Sequence, residues 1–197
     1  MENLNQMTDD MLVSQYSNGN SKAFDVLLSR YQDKLYSYIS YVVRNRELAD
    51  DIFQETFLKA IVTLQKGNYS STGKFGAWLT RIAHNLMIDC FRQERNENSI
   101  SNDSVDYDIL NDSNLADPTI EDDMVNEQIL SDVRHLVDML PDNQREVVFM
   151  RYYQDLSFKE IADITGVSIN TALGRMRYAI MNIRRIAAEK NISLVMA

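Results

Sequence analysis

An acidic stretch in the middle of the chain limits what the sequence can fold into. From Glu97 to Asp123 it carries nine acidic residues and no lysine or arginine, and it is rich in asparagine and serine. A polar segment of one charge sign cannot bury enough apolar surface to offset the entropy of ordering it, so we expect a flexible linker over residues 96–123. The linker leaves two candidate domains, residues 1–95 and 124–197.

This stretch also accounts for the net charge of −9, because the rest of the chain has 20 acidic residues against 20 basic ones. The acidic total therefore does not exclude a nucleic-acid ligand. The chain has only two prolines and six glycines, and its hydrophobic residues recur at helical rather than alternating spacing. We expect an all-α protein with two small helical domains joined by an acidic flexible linker.

The sequence carries no signal for export or for membrane insertion. Its single cysteine, Cys90, excludes an internal disulfide framework and a thiolate metal site, which fits the reducing cytoplasm. No segment approaches the roughly 18 consecutive apolar residues of a membrane span. We expect a cytoplasmic protein without a cofactor. His84 and His135 lack metal-ligand spacing, and we place them at the surface or at a seam.

A helix-turn-helix pattern begins at Ser157 in the second candidate domain. Ser157 and Glu160 have the spacing of a capping box, which starts a helix. Gly166 can supply the left-handed residue that ends this helix, and Ser168 can cap a second one. At about 100° per residue, the side of the second helix that we expect in the core carries Ile169, Ala172, Met176, Ala179, Ile180 and Ile183.

The opposite side of this second helix is polar and basic. It carries Asn170, Thr171, Gly174, Arg177 and Tyr178, with Arg175 at its edge. Amide, hydroxyl and guanidinium groups at the start of a helix can read base edges and hold phosphates. An ordinary helical hairpin with a solvated face is the alternative, but the capping box, glycine turn and basic face together favour DNA binding.

The first candidate domain contains two adjacent amphipathic helices, over residues 21–45 and 47–65. The first points Phe24, Leu27, Leu28, Tyr31, Leu35, Tyr38 and Ile39 inward. The second buries Leu48, Ala49, Ile52, Phe53, Phe57, Ala60 and Leu64. Its outer face carries Asp51, Gln54, Glu55, Leu58 and Val62. Apolar residues among acids indicate either a protein-docking surface or a solvated acidic face, and the spacing alone leaves both open.

A third helix is predicted over residues 75–95, after a polar loop over 67–74. We expect it to bury a stripe of Phe75, Leu79, Ile82, Leu86 and Cys90. A second stripe, next to Trp78, carries Arg81, Asn85, Ile88 and Arg92. Arginines, an amide and an aromatic ring beside a polar loop suit unstacked or single-stranded DNA. A core position for Trp78 and ordinary surface arginines are the alternative.

Four segments in this order resemble the extracytoplasmic-function class of bacterial sigma-70 factors. They are Asp50-Asp-Ile-Phe-Gln-Glu-Thr-Phe-Leu-Lys-Ala60, Phe75-x-x-Trp-Leu-x-x-Ile-Ala-x-Asn85, Leu140-Pro-x-x-x-Arg-x-Val-Val-Phe149 and the helix-turn-helix. The resemblance covers about residues 20–95 and 124–188. It implies a sigma factor that binds core RNA polymerase and promoter DNA and directs promoter-specific initiation. It also implies a monomer when free, with an anti-sigma factor as a possible partner.

The resemblance also implies roles for individual residues. The polymerase clamp helices would be bound by Asp51, Gln54, Glu55 and Leu58. A flipped base of the melted minus-ten element would be captured by Asn68, Lys74, Trp78, Arg81, Asn85 and Arg92. The duplex minus-thirty-five element would be read by Ser168, Asn170, Thr171, Arg175, Arg177 and Tyr178. The linker would thread through polymerase channels that otherwise hold nucleic acid.

The chain departs from the family at Leu173 and Gly174, where many members have a lysine and a serine. The identity of the bases read therefore does not transfer.

Two other functions fit parts of the sequence. A stand-alone dimeric helix-turn-helix regulator would leave the first 95 residues unexplained. A magnesium-dependent phosphohydrolase would use Glu47, Asp50, Asp51 and Glu55, but it needs acids facing these from a second helix. We expect no catalytic residues and no metal ligands.

Overall fold

The computed structural model describes residues 4–70, 73–98, 133–190 and 192, with side chains described throughout except at 94–98. Every regular element in these ranges is helical, which confirms the all-α prediction. Contacts divide the chain into two units, Met1–Asn102 and Asp103–Ala197. Most of the expected linker lies outside the described residues. Within these ranges no helix is long and apolar enough to cross a membrane.

The first unit contains four α-helices after a short 3₁₀ turn. They are α1 (Asp9–Ser17), α2 (Ser21–Val43), α3 (Arg46–Gln65) and α4 (Phe75–Asn98). The periodicity predicted α2, α3 and α4 to within a few residues, whereas α1 was not predicted. Side-chain caps fix two of the starts, because Thr8 accepts a hydrogen bond from the Met11 amide and Asn45 accepts one from the Leu48 amide.

The core of the first unit forms where α2, α3 and α4 pack against one another. Its fully buried side chains include Leu27, Tyr38, Ile39, Leu64, Phe75, Leu79 and Met87. The buried side of α3 is as predicted, apart from Leu48 and Phe53, which are half-buried. On α2, Leu28 and Tyr31 are likewise half-buried.

The predicted buried stripe of α4 is partly wrong. Phe75 and Leu79 are buried, but Ile82, Leu86 and Cys90 are only half-buried, and Ala83 and Met87 take the core positions instead. His84, which we expected at the surface or at a seam, is buried in the core. Its Nδ1 lies 3.2 Å from the Tyr38 hydroxyl, so this ring nitrogen has a hydrogen-bond partner inside the core.

The second unit contains helical residues 133–138 (α5), α6 (Asp142–Tyr152), α7 (Phe158–Thr165) and α8 (Ile169–Glu189). The corner between α5 and α6 is fixed by Arg145, which is buried. It pairs with Asp142 and donates a hydrogen bond to the Asp138 carbonyl at 3.3 Å. Asn182 of α8 donates to the Gln144 side chain of α6 at 2.8 Å, so α8 is tied to the same corner.

The helix-turn-helix has the predicted caps. Ser157 and Glu160 form a capping box, and Gly166 has a φ of 68° at the end of α7. The Val167 amide then donates to the Ala162 carbonyl at 3.1 Å, and Ser168 caps α8.

The predicted core positions of two residues on α8 are wrong. Ile169 is 46 % exposed and Ile180 is 38 % exposed, whereas Ala172, Met176 and Ala179 are buried. The eight-residue α7 is too short to cover the flank of α8, so the groove beside Met176 stays open and Ile180 lines it.

Replacing Gly166 by alanine should lower the free energy of unfolding of the second unit by about 1 kcal/mol, since a side chain in the left-handed region costs roughly 1–2 kcal/mol. Gly174→Ala is the matched control. Gly174 lies inside α8 with open space around an added Cβ, so alanine should stabilise the helix by up to about 1 kcal/mol. Hydrogen exchange of the α7 and α8 amides measures both effects. Unchanged or slower exchange in Gly166→Ala would contradict the assigned role of the glycine.

Candidate nucleic-acid and partner interfaces

The outer face of α3 is exposed as the sequence predicted. Asp51, Gln54 and Glu55 are exposed, Leu58 is 57 % exposed and Val62 is 45 % exposed. The same helix buries Ile52, Phe57 and Leu64 on its other side, so its outer face cannot rotate inward without emptying the core. Two large aliphatic side chains are therefore held in solvent among acids, a composition typical of a docking surface.

A groove between α3 and α4 continues this face. It is lined by Glu55, Leu58, Lys59, Val62, Thr63, Trp78, Ile82, Asn85, Leu86 and Asp89. Its lining combines apolar side chains with charged ones, and Glu55 and Lys59 are paired at 3.9 Å. Two residues from the polymerase prediction, Glu55 and Leu58, thus share a groove with Trp78 and Asn85 from the minus-ten prediction.

The minus-ten candidates on α4 lie along one stripe of the helix. At about 100° per residue, Trp78, Arg81, Asn85 and Arg92 fall within about 60° of one another. Arg81, Asn85 and Arg92 are exposed and Trp78 is half-buried. Because the rise is about 1.5 Å per residue, the stripe extends roughly 20 Å from Trp78 to Arg92. The stripe is therefore long enough to contact several nucleotides of an extended DNA strand and not one base alone.

The remaining two candidates, Asn68 and Lys74, are exposed in the loop that precedes α4. This loop meets an aromatic cluster formed by Tyr31, Tyr69, Phe75 and Trp78. The ring centroids of Tyr69 and Trp78 lie 4.8 Å apart, and those of Phe75 and Trp78 lie 5.4 Å apart. Trp78 is therefore neither fully core nor free, since it packs against the cluster and also lines the groove.

Both tyrosines of the aromatic cluster stay protonated far above neutral pH. Burial, the hydrogen bond to Asp9 and the charge of Asp9 raise the pKa of Tyr31 well above its usual range. Burial, followed by the nearby charges of Asp10 and Asp9, raises the pKa of Tyr69 to about 12. Both hydroxyls are thus neutral donors, and the cluster presents no phenolate to repel a phosphate.

The predicted minus-thirty-five face of α8 is largely exposed. Asn170, Thr171, Arg177 and Tyr178 are exposed, and Arg175 is half-buried at the edge of the face as expected. These side chains extend from the first turns of a helix whose opposite side is anchored by Ala172, Met176 and Ala179. The first turns of α8 therefore present these side chains to solvent.

Ser168 and Thr171 form the cap at the start of α8, whether or not they also contact a ligand. The Thr171 amide donates to the Ser168 hydroxyl at 3.0 Å, and the two hydroxyl oxygens lie 2.8 Å apart. Their geometry is thus set by the cap. The other exposed candidates carry side chains that the cap does not use.

The acids proposed for a metal-dependent hydrolase do not face one another. Asp50 accepts a hydrogen bond from the Tyr36 hydroxyl at 2.7 Å and so turns toward α2, whereas Asp51 is exposed. Among residues 4–70, 73–98 and 133–190, no group of three His, Cys, Asp or Glu side chains is placed to hold a metal ion.

Comparison with known families and proteins matches both units. The family Sigma-70 region 2 matches residues 27–97, and the family Sigma-70, region 4 matches residues 130–176. The chain is 30 % identical over 182 residues to the ECF RNA polymerase sigma-E factor of Salmonella typhimurium, covering 87 % of this chain and 90 % of the relative. It is 29 % identical over 167 residues to the ECF RNA polymerase sigma factor SigW of Bacillus subtilis, and the match covers 83 % of this chain and 88 % of the relative.

Solved structures show the same fold. The sigma factor RpoE of Bartonella quintana, in its complex with the anti-sigma factor NepR, has a TM-score of 0.66 at 21 % identity and covers 85 % of this chain and 98 % of that one. The chain therefore belongs to the extracytoplasmic-function class of the sigma-70 family. It is a sigma factor that directs promoter-specific transcription initiation by RNA polymerase, not a stand-alone regulator.

The sequence patterns predict no functional role for the residues around α1. The structure places Asp9 and Asp10 of α1 against Tyr31 of α2 and Gly73 of the loop. Thr8 followed by two acids and an apolar run is a helix-start signal that would have revealed α1. Its contact with a loop more than 60 residues later in the chain has no local signature.

Proposed function

We propose that the outer face of α3 is the surface that binds core RNA polymerase, through Asp51, Gln54, Glu55 and Leu58. The observation that carries this proposal is Leu58, which is 57 % exposed in the middle of a helix whose other side packs into the core. Burying a leucine side chain contributes about 1.5–3 kcal/mol, so a partner would gain most where Leu58 enters its surface. The acids around it would steer a basic partner into the same orientation.

The minus-ten element would be held by the loop before α4 and by the α4 stripe, with Asn68, Lys74, Trp78, Arg81, Asn85 and Arg92 as contacts. Trp78 and Tyr69 offer aromatic surfaces on which an unstacked base could pack, a contact worth about 1–3 kcal/mol per base. The exposed Arg81 and Arg92 would follow the phosphates of the same strand. Glu55, Leu58, Trp78 and Asn85 line one groove, which supports a minus-ten site directly beside the proposed polymerase surface.

The minus-thirty-five element would be read by the first turns of α8, with Ser168, Asn170, Thr171, Arg175, Arg177 and Tyr178 at the DNA. Arg177 is exposed on this face, and its guanidinium could form a bidentate contact with a guanine edge. Domains over residues 1–95 and 124–197 would then bind separate elements, and the acidic linker over 96–123 would set the distance that they can span.

We infer that the chain performs no catalysis of its own and works in the cytoplasm, where RNA polymerase and the promoter are found. Its linker acids and near-neutral domains should make binding to free DNA weak, because few counterions are released. The sigma factor RpoE of Bartonella quintana, which has a similar fold, forms a complex with the anti-sigma factor NepR, and this supports a similar partner for this chain.

Leu58→Asp should abolish assembly with core polymerase without unfolding the chain, because the side chain is exposed before binding and a carboxylate would be desolvated after it. Co-elution with core enzyme in size-exclusion chromatography measures assembly, and circular dichroism checks the fold. Met11→Asp is the matched control and should retain assembly. Met11 is similarly exposed, at 51 %, but lies on α1 and not on the outer face of α3. Retained co-elution of Leu58→Asp would place the polymerase surface elsewhere.

Arg177→Ala should reduce discrimination between a matched and a scrambled upstream element by roughly 1–3 kcal/mol while leaving polymerase binding intact. Holoenzyme binding to the two duplexes, at one fixed salt concentration, measures this difference. Arg185→Ala is the control on the same helix, because the Arg185 guanidinium is paired with Glu189 at 2.7 Å. Equal losses on the matched and scrambled elements would mean that Arg177 contacts phosphates and not bases.

A further inference from the structure

Asp10 of α1 makes a direct contact with the loop that precedes α4. Its Oδ2 accepts a hydrogen bond from the Gly73 amide at 3.0 Å. Gly73 has a φ of 69°, a left-handed conformation that side chains disfavour, so the loop backbone is shaped to present this amide. The contact lies one residue before Lys74 and five residues before Trp78, which are both assigned to the proposed minus-ten site.

The amino end of α1 is itself held in place by α2. Arg30 pairs with Asp9 at 2.7 Å and also donates to the Met7 carbonyl at 2.7 Å. The Tyr31 hydroxyl donates to the second oxygen of Asp9. Because Asp9 is fixed by two side chains of α2, its neighbour Asp10 is a rigid support for the loop rather than a mobile surface carboxylate.

The Tyr69 hydroxyl, a second group of the loop, is close enough to Asp10 and Asp9 to be affected by their charges. The Tyr69 hydroxyl and the Asp10 Oδ1 are both enclosed, and neither has a hydrogen-bond partner among the described residues. The charge of Asp10 acts on Tyr69, which stays a neutral donor beside a carboxylate acceptor. The Tyr69 ring in turn packs on Trp78 and Phe75. Asp10 is therefore connected to Trp78 through both the loop backbone and the aromatic cluster.

We propose that Asp10 is a positioning residue for promoter melting, which fixes the loop so that Lys74 and Trp78 are arranged for an unpaired minus-ten base before DNA arrives. The proposal rests on the minus-ten site described under Proposed function. A loop ordered in advance loses less conformational entropy on binding, so the contact strengthens capture without touching DNA. Neither its position in the chain nor its charge would suggest that Asp10 acts on DNA, since a carboxylate repels phosphate.

The test compares holoenzyme binding to two DNA probes of one promoter. One is a fork with an unpaired minus-ten strand, and the other is the fully paired upstream duplex. Asp10→Ala should weaken binding to the fork by on the order of tenfold and leave the upstream duplex and polymerase assembly unchanged. Asp10→Asn keeps an oxygen that accepts from Gly73 and should retain most of the binding. Asp25→Ala, at an exposed acid of α2, is the control for the loss of a negative charge.

A second readout uses Trp78, the single tryptophan of the chain. In the free protein, Asp10→Ala should shift its emission to longer wavelength and raise its quenching by acrylamide, whereas Asp25→Ala should not. Gly73→Ala disturbs the same hydrogen bond from the loop side and should reproduce both effects, which covers the case in which Asp10→Ala fails to fold.

Fork binding and Trp78 emission that are unchanged in Asp10→Ala would overturn the positioning role while leaving the minus-ten site intact. If wild-type holoenzyme does not bind the fork more tightly than its paired form, the proposed minus-ten site is wrong, and the positioning role fails with it.

Discussion

The mutual burial of α2, α3 and α4 is the constraint on which the first unit depends. Each helix places one side in a shared core, where Tyr38, Ile39, Leu64 and Leu79 are fully buried. Edge-on contacts between Phe24 and Phe57 and between Tyr36 and Phe53 add directional packing between α2 and α3. Once these sides are fixed, the outward direction of every other side chain on the helices is fixed as well.

The proposed binding surfaces follow from that constraint. Leu58 and Val62 face solvent because the opposite side of α3 is committed to the core. Trp78 and Asn85 line the same groove because another side of α4, with Leu79, Ala83 and Met87, is buried in the core. A partner on α3 and a DNA strand on α4 would therefore meet along one groove. This proximity gives a physical route by which polymerase binding could favour capture of the melted strand.

Much of this arrangement is encoded in local sequence. Caps such as Ser157, Ser168 and Asn45 act within one helical turn, and the outer face of α3 follows from the spacing of its apolar residues. The rotation of α4 could not be predicted, because its core positions depend on packing against other helices, including the hydrogen bond between His84 and Tyr38, 46 positions apart. The exposure of Ile180 depends on the open groove that it lines in the folded second unit. The contact of Asp10 with Gly73 is likewise invisible to any local pattern.

We infer that the two units of the chain hold two separate promoter elements for RNA polymerase. Run-off transcription by bacterial core polymerase from a library of randomised promoters, with and without the chain, tests this arrangement. We expect transcripts that appear only with the chain and whose templates share two upstream motifs at a constant separation. Transcripts that depend on the chain but share a single motif, or one two-fold symmetric motif, would contradict it.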